Sequence, residues 1–593
     1  MIGPRLEWLL PEPVLDPPAF PGFGRPISTL LARRGFRDDA QLVTFLNAGL
    51  EALHDVSLMA DAELALARLE RALDQGERIA IWGDYDADGM TAVVVWSMAL
   101  RALGAEAIRH VPSRLAEGYG LSNGGLDRLA RAGVSLVVTC DCGVVNVTEV
   151  AYARSLGLDV IVTDHHLPAG DLPRAVAVVD PHRPDCAYPD PDLTGAGLAY
   201  KLATALLARR GAGAADLAAM AAIGTVADLA PMTGESRAIV RLGLAELAST
   251  RRAGLRALLV RSCDAPEQVT ARDLAYNVAP RINAAGRIAE AELAISLLLE
   301  EDAAAAERMA DELEAVHWQR RDLTGTAVAE AQAMVEGLDG TGPIALRHDA
   351  WAPGIVGLIA GRLAETLERP VAVAAPAGDE LRGSLRGPMD FHAAAALEAC
   401  AGLLIKRGGH AAAGGFSVAP EQWDRFAEAF QALPRPFPPS ALAVAPAGRI
   451  TIDLVLPAAH LGWELAGQID RLAPFGPGHV EPLLAVTGLR VGDARRVGPD
   501  GRHLALRMLR GAETFDAIGF GTPSERPLPE EGSLVDLVGT LERDTFQGQH
   551  RLRLRVVDFA ASSLSPLAER RKEAQAAALQ AVPMAAPAGA ATG

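Results

Sequence analysis

Residues 78–93 read RIAIWGDYDADGMTAV, and this stretch decides the fold of the first half of the chain. Its apolar run ends abruptly in three aspartates at alternate positions, Asp84, Asp86 and Asp88. The two glycines beside the aspartates permit tight turns, and the next run, residues 91–103, has the composition of a helix. The stretch therefore predicts a buried strand, an acidic turn and a helix that follows it.

The acidic turn is predicted to lie at the carboxyl end of a strand, where an open α/β sheet binds its ligands. Three like charges this close repel one another unless cations neutralise them or water solvates them. The stretch lacks the glycine patterns of phosphate-binding and dinucleotide-binding loops. Taken alone, the turn leaves two interpretations open, a solvated surface turn and a cation site.

Apolar runs and helix-prone runs alternate after this point, which is typical of a doubly wound parallel α/β sheet. The predicted strands are residues 79–83, 107–111, 136–140, 160–163 and 176–179. Four of these runs finish in an aspartate, namely Asp84, Asp141, Asp164 and Asp180. Because ligands of such a sheet bind at the carboxyl ends of its strands, we expect these carboxylates to converge on one edge.

Two histidines, His165 and His166, follow Asp164 directly. Oxygen ligands with one or two imidazoles suit manganese or magnesium better than zinc. Two such cations, about 3.5–4 Å apart, lower the pKa of a shared water and clamp both oxygens of a phosphoryl displacement. Adjacent side chains of an extended segment point to opposite sides, so we expect one histidine to bind metal and the other to meet substrate. The pattern predicts a two-metal hydrolase.

Composition limits the class and location of the protein. Its 593 residues are too many for one core and indicate roughly three or four domains. We expect a cytoplasmic protein that does not enter a membrane, because no apolar run could span one and residues 1–20 lack the pattern of a signal peptide. Five cysteines, an odd number, argue against a disulfide framework. The formal net charge of −18 means that a nucleic-acid surface must come from the arrangement of the arginines.

Seven motifs follow one another along the chain. They are DYDADG at 84–89, TCDCG at 139–143, DHH at 164–166, GTVADLAPM at 224–232, PRINAAGRI at 280–288, WAPGIVGLIAGRL at 351–363 and GGHAAAGGF at 408–416. In this order they resemble the DHH phosphoesterase superfamily, and within it the single-strand-specific 5′ to 3′ DNA exonucleases. One of these motifs alone would be weak, whereas seven in order are specific.

Pattern and resemblance together predict the domain organisation. We expect an N-terminal helical cap (1–54), a doubly wound DHH domain (55–245), a helical connector (246–338), a second α/β domain, the DHH-associated substrate-binding domain (339–435), an OB-fold nucleic-acid-binding domain (447–562) and a disordered tail (563–593). Within the connector, residues 292–335 are predicted to form one long helix.

The resemblance also implies a ligand set for two manganese or magnesium ions. The implied ligands are Asp84, Asp86, Asp141, His165 and Asp228, with Asp141 in the bridging position. His166 would then face the scissile phosphate, and Asp88 and Asp164 would orient ligands from behind. Some relatives have a histidine shortly before the first aspartates, whereas this chain reads AIWG at 80–83, so one ion is expected to be held more weakly or by water.

A second set of residues is implied to line the cleft for DNA. It comprises Arg114, Tyr119, Arg281, Asn283, Ser384, Arg386, Gly409 and His410. The arginines and the serine would grip a terminal 5′ phosphate by charge-assisted hydrogen bonds. Glycines near residue 409 would let the backbone approach that phosphate. Tyr119 would either stack on a base or pack beside a turn.

Short strands and turns after residue 447 predict a small closed β-barrel. The predicted strands are residues 451–456, 483–486, 503–508, 534–539 and 551–557. In the last strand Arg551, Arg553 and Arg555 fall on one face, and an arginine face on an OB-like barrel could follow a single-stranded backbone. The motif PFGPGHVEP at 474–482 resembles the segment that links this domain to the rest in the superfamily.

These observations predict a metal-dependent exodeoxyribonuclease that takes single-stranded DNA by its 5′ end and releases 5′ mononucleotides in DNA repair and recombination. We expect a monomer, with single-strand-binding protein and a repair helicase as partners. Two alternatives stay open. A short-oligonucleotide or cyclic-dinucleotide phosphodiesterase would have little use for the barrel, and a non-catalytic DNA-binding scaffold would lack metal ligands.

Overall fold

A computed structural model describes residues 2–14, 16–114, 117–337, 342–388, 391–433, 448–498, 501–510, 513–523, 525–546 and 549–568. The chain divides into two compact units. The central unit comprises residues 48–444 with 474–479, and the terminal unit comprises residues 1–47, 445–473 and 480–593. Among the described residues, no helix is both long enough and apolar enough to cross a bilayer.

Three elements begin the chain and belong to the terminal unit: β1 (Glu7–Leu9), α1 (Arg25–Arg33) and α2 (Asp39–Leu46). Strands and helices then alternate in the central unit, as the sequence predicts. They are α3 (Ala62–Gln75), β2 (Ile79–Trp82), α4 (Ala87–Ala102), β3 (Ile108–His110), α5 (Asn123–Arg131), β4 (Leu136–Thr139), α6 (Val147–Ser155), β5 (Asp159–Thr163) and β6 (Ala177–Val179).

The first sheet has the strand order β3-β2-β4-β5-β6, and all neighbouring strands are parallel. The order reverses direction between β2 and β4. A crevice opens at such a switch point, and ligands of doubly wound sheets bind there. The fold class predicted for this part of the chain is confirmed.

Helices follow the first sheet without an intervening strand. They are α7 (Gly195–Arg209), α8 (Leu217–Ala227), α9 (Gly234–Ser249), α10 (Ala253–Ser262), α11 (Ala271–Asp273), α12 (Ala279–Ile288), α13 (Ala291–Leu299) and α14 (Ala303–Val335). The single helix predicted for residues 292–335 is wrong, because the chain breaks at residues 300–302. Asp302 caps the new helix by accepting a hydrogen bond from the backbone N–H of Ala305.

A second α/β layer follows α14. Its elements are β7 (Ile344–Arg347), α15 (Val356–Leu367), β8 (Val371–Ala377), β9 (Glu380–Arg386), α16 (Ala393–Ala399), β10 (Lys406–Gly409), β11 (Ala413–Val418) and α17 (Trp423–Gln431). The strand order is β10-β11-β9-β8-β7, with β7 and β8 parallel and the other pairs antiparallel. The β10–β11 hairpin was not predicted from the sequence, because its many glycines lack the apolar alternation of a strand.

The terminal unit closes into a barrel. After the first three elements it contains β12 (Arg449–Thr451), β13 (Leu454–Pro457), α18 (Trp463–Asp470), β14 (Leu484–Val497), β15 (His503–Arg510), β16 (Glu513–Gly519), β17 (Leu534–Phe546) and β18 (Gln549–Ala561). The order β14-β15-β16-β18-β17 returns to β14, which confirms the predicted barrel. Strand β16 was missed, and β1 pairs with β12, so the N-terminal segment packs with the barrel.

The row of arginines on β18 is engaged by acids of the same unit. Arg551 lies 3.0 Å from Asp516, and Arg553 lies 3.3 Å from Glu542. Arg555 contacts both Glu542, at 2.9 Å, and Glu481, at 3.1 Å. These ion pairs offset charge on the arginine face, and the role of that face in following a single-stranded backbone stays a prediction.

The tail predicted to be disordered, residues 563–593, lies largely outside the described residues. Its first part is ordered against the barrel. Leu567 is 1% exposed and packs in a cluster with Trp8 and Ala485. The disorder expected for residues 563–568 is therefore wrong, because an apolar side chain buried beside β1 and β14 anchors them.

Asp558 ties the N-terminal segment to the barrel. It is 2% exposed and accepts hydrogen bonds from the backbone N–H groups of Arg5 and Leu6 and from Trp8 Nε1, each at 2.9 Å. Arg526 Nη2 also donates to it, at 2.8 Å. The carboxylate thus takes the place of water as the hydrogen-bond acceptor for the segment that enters β1.

We predict that Asp558→Ala destabilises the terminal unit by about 3–5 kcal/mol, because it leaves a buried guanidinium and several buried N–H groups unsatisfied. Guanidinium-chloride unfolding followed by tryptophan fluorescence checks this. Asp493→Ala is the control, since the Asp493 side chain is 60% exposed. Equal stability of the two variants would contradict the anchoring role of Asp558.

Candidate active site

The acidic turn between β2 and α4 is fixed by its own backbone. Asp86 caps α4, and its Oδ1 accepts hydrogen bonds from the N–H groups of Asp88 and Gly89 at 3.0 and 3.1 Å. A Cβ on Gly89 would lie 2.5 Å from the nitrogen of Asp84. Only glycine therefore allows the start of α4 to pack against the end of β2, and this contact holds the three aspartates together.

Asp88 is aimed by the N-terminus of α7. It is 1% exposed, and its two oxygens accept hydrogen bonds from Gly195 N at 2.7 Å and Ala196 N at 3.0 Å. Burial and the charge of Asp86 nevertheless raise the pKa of Asp88 to about 7. Helix α7 thus orients this carboxylate without removing the repulsion from its neighbours.

Asp141 follows β4 in the left-handed region, with φ of 61°. This uncommon conformation turns its carboxylate into the crevice, where Oδ1 lies 2.9 Å from His165 Nε2. Asp84 lies across the switch point, and its Oδ1 is buried without a hydrogen-bond partner among the described residues. Burial, reinforced by neighbouring carboxylates, raises the pKa of both aspartates well above the usual range.

The two histidines make different contacts. His165 Nε2 faces the carboxylates, at 2.9 Å from Asp141, 3.7 Å from Asp228 and 3.9 Å from Asp88. Burial and the charge of His166 lower the pKa of His165 to about 3. The neutral imidazole is the form that binds a metal. The pKa of Asp228, at the end of α8, is raised to about 8 by burial and by Asp88.

His166 points toward the second α/β layer. Its Nδ1 lies 2.8 Å from Asp164 Oδ1 and 3.1 Å from the hydroxyl of Tyr119. Burial lowers its pKa, but the hydrogen bond and charge of Asp164 outweigh this and raise it to about 9. The ring stacks on His410, with centroids 5.8 Å apart. Tyr119 also donates to the carbonyl of Asp141 at 3.1 Å, so it packs inside the site as well as exposing 41% of its surface.

Three overlapping groups of potential ligand atoms result, each within 4.8 Å. They are Asp84, Asp86 and Asp141; Asp88, His165 and Asp228; and Asp141, His165 and His166. Carboxylate oxygens with one or two imidazoles are a suitable donor set for manganese or magnesium. The unpartnered oxygen of Asp84 and the raised pKa values indicate that positive charge is needed here, so the residues fit divalent cations.

Arginines face this acidic crevice from the opposite wall. Arg386 on β9 donates to Ser384 Oγ at 2.9 Å, and Arg114 stacks 3.8 Å from the ring centroid of Tyr85. Arg287 was not singled out in the sequence. Burial, together with Arg114 and other arginines, lowers its pKa to about 9, and Asp86 is the acid near enough to oppose this. Guanidinium groups placed this close together are suited to binding an anion.

Arg281 does not take part in this wall. Its guanidinium forms a double hydrogen bond to Glu314 of α14, at 2.6 and 3.0 Å, and donates to two backbone carbonyls. Its donors are used in joining α12 to α14 and to α10. Arg287 follows six residues later in the same motif and lies in the cleft instead. The two side chains leave the helix in different directions, because positions six residues apart are about 240° apart around the helix axis.

Two other cleft residues have structural tasks. The Asn283 side-chain oxygen accepts a hydrogen bond from Ala87 N at 2.9 Å, so Asn283 positions the acidic turn. Gly409 has φ of 137°, and a Cβ there would lie 2.2 Å from the carbonyl of Ala413. The tight β10–β11 hairpin therefore requires glycine here for steric reasons, independently of any contact with a phosphate. The hairpin also places His410 over His166.

Known families match three parts of the chain. The DHH family N-terminal domain matches residues 78–225, the DHHA1 domain matches residues 332–434, and the RecJ OB domain matches residues 452–558. These are the first sheet with α7, the second α/β layer and the barrel.

Curated relatives resemble nearly the whole chain. The single-stranded-DNA-specific exonuclease RecJ of Salmonella typhimurium is 34% identical over 89% of this chain and 95% of its own length. RecJ of Bacillus subtilis is 33% identical, over 90% of this chain and 68% of the relative. The crystal structure of Thermus thermophilus RecJ in complex with Mn²⁺ superposes with a TM-score of 0.76 and 30% identity, covering 94% of this chain and 79% of that one. The chain therefore belongs to the RecJ family of the DHH phosphoesterase superfamily.

Proposed function

We propose that this protein is a metal-dependent exodeoxyribonuclease that degrades single-stranded DNA from its 5′ end and releases 5′ mononucleotides. The overlap of three ligand groups at one sheet edge, with Asp141 and His165 each common to two of them, carries the proposal. The relatives, which are named as single-stranded-DNA-specific exonucleases, support the choice of substrate. A scaffold without activity would have no use for a complete and mutually repelling ligand set.

The ligand groups fit two divalent cations, manganese or magnesium. The positions would be lined by Asp84, Asp86 and Asp141 on one side and by Asp88, His165 and Asp228 on the other. Bound there, the cations would activate a water and neutralise charge on the phosphate. Asp141 is placed to serve both positions. Asp88, expected from the sequence to act from behind, lies inside the second group, and we assign it as a ligand.

His166 is placed to stabilise charge on the phosphoryl oxygens. Asp164 holds its imidazole through Nδ1. Although burial lowers the pKa of the ring, the hydrogen bond and charge of Asp164 raise this pKa and favour the cationic form. The hydroxyl of Tyr119 also contacts this ring, and His410 stacks over it. A fixed cationic donor at the reacting phosphate needs no reorganisation during the reaction.

The arginine wall explains why cleavage would start at a 5′ end. A terminal phosphate carries more negative charge than an internal phosphodiester and presents three oxygens to bidentate donors. Arg114, Arg287 and Arg386 converge, and Ser384 lies within 2.9 Å of Arg386. Binding of the terminal phosphate here would place the next phosphodiester on the acidic wall.

The family context supports a role in DNA repair and recombination in the cytoplasm. We propose that the protein acts as a monomer, with single-strand-binding protein and a repair helicase as partners. The barrel of the terminal unit supports long DNA as substrate over short oligonucleotides or cyclic dinucleotides, because barrels of this type bind extended single strands.

We predict that, with Mn²⁺, single-stranded DNA labelled separately at each end loses its 5′ label first, as a mononucleotide, while matched duplex is spared. Chelation by EDTA and the Asp141→Ala variant should each abolish turnover. Thin-layer separation of the early products is the readout. Early release of the 3′ label would refute the polarity, and cleavage of dinucleotides alone would favour the small-substrate phosphodiesterase.

We predict that Asp88→Asn lowers activity by more than about 100-fold, the upper range for residues that only orient a ligand. Electron paramagnetic resonance of free Mn²⁺ should reveal fewer bound ions per chain. Asp180→Asn is the matched control, since Asp180 is a buried carboxylate at the same sheet edge outside the ligand groups. An unchanged number of bound Mn²⁺ ions in Asp88→Asn would mean that Asp88 orients a ligand and does not itself bind metal.

We predict that substitution of Arg386 affects activity, whereas substitution of Arg281 affects stability. Arg386→Gln should weaken use of 5′-phosphorylated DNA at least about tenfold while leaving stability within about 0.5 kcal/mol. Arg281→Gln should instead lower stability, because Glu314 loses its partner. Kinetics on phosphorylated and dephosphorylated strands, beside thermal unfolding, separate the effects. A loss of phosphate preference in Arg281→Gln alone would reverse the assignment.

A further inference from the structure

The long helix α14 changes character along its length. Its first half is acidic, whereas residues 315–321 contain His317, Arg320 and Arg321 and no acid. An anionic polymer would be repelled by the first half and attracted by the short basic stretch at residues 315–321. The change occurs where α14 packs against α12, with His317 Nδ1 3.4 Å from the carbonyl of Pro280.

Trp318 is exposed at this position. The residue is 48% exposed, although its Nε1 donates to Glu314 Oε1 at 2.8 Å and its ring packs edge-on against His317 at 5.7 Å. The guanidinium of Arg321 lies 4.8 Å from the ring centroid. A single exposed hydrophobic side chain needs no explanation. A tryptophan held rigidly in solvent beside a stacked arginine has the make-up of a base-stacking site.

A row of arginines joins Trp318 to the cleft. Arg320 lies near enough to Arg287 for its charge to act on that guanidinium, and Arg287 in turn lies beside Arg114 and Arg386. The Nε of Arg320 is buried without a hydrogen-bond partner among the residues that the structure describes. Positive charge thus continues from the phosphate-binding wall onto the surface of α14.

We infer that Trp318 stacks on a base of single-stranded DNA that extends out of the catalytic cleft, while Arg320 and Arg321 contact the adjoining phosphates. The inference rests on the proposed function and adds a binding site outside the metal centre. The occupant is the downstream part of the substrate strand, because the charge is continuous with the cleft and stacking requires base faces that a duplex hides. The site would favour long strands over short ones.

The test compares kcat/KM for long oligothymidine with kcat/KM for a 5′-phosphorylated trinucleotide. Trp318→Ala should lower the ratio of the two by about 5- to 100-fold, the range for loss of one stacked base. Trp318→Phe should recover most of it, because the ring face is kept. Leu323→Ala, which removes another exposed apolar side chain of α14, should leave the ratio unchanged.

A salt titration tests the phosphate contact independently. In Arg321→Gln, the slope of log affinity for long oligothymidine against log salt should become shallower by roughly 0.7. Arg308→Gln, an exposed arginine in the acidic half of the helix, should keep the wild-type slope. If Trp318→Ala retains the wild-type ratio while the wild-type enzyme degrades both substrates, the stacking site is refuted and the exonuclease stands. If the wild-type enzyme degrades neither substrate, the proposed function itself fails.

Discussion

The mutual repulsion of buried carboxylates is the constraint on which the rest of this structure depends. Asp84, Asp88 and Asp141 are almost completely buried, and each has a raised pKa because of burial and its neighbours. Backbone donors fix two carboxylates of the acidic turn: the N-terminus of α7 bonds Asp88, and the start of α4 bonds Asp86. Such a group is destabilising without cations, so the fold gives up stability for a site that only bound metal completes.

A second group of like charges faces the first. Arg114, Arg287 and Arg386 approach one another closely enough to lower the pKa of Arg287 to about 9. The acidic wall attracts cations and the basic wall attracts phosphate, so a substrate with its metal ions would relieve both repulsions at once. His166 and His410 stack where the two walls meet, which couples the first sheet to the β10–β11 hairpin.

Local patterns were enough to predict the first sheet and its acids, because its strands follow apolar runs and four of the five runs end in a carboxylate. The direction in which each side chain points was harder to predict. Arg281 and Arg287 belong to one motif, but only the rotation of α12 and the position of Glu314 decide which of them enters the cleft. Asp88 is the residue whose role we reassign, and the hydrogen bonds that aim it come from Gly195 and Ala196, which are far away in sequence. The ion pairs of the β18 arginines could not be predicted either, because their acidic partners lie on other strands and loops.

Anomalous diffraction from crystals grown with Mn²⁺ would locate the metal ions. We predict two manganese peaks, one among Asp84, Asp86 and Asp141 and one among Asp88, His165 and Asp228, with Asp141 in contact with both. A single peak, or peaks outside these two groups, would contradict this prediction. A single peak inside one group would mean a one-metal centre, and peaks outside both groups would mean that the catalytic centre lies elsewhere.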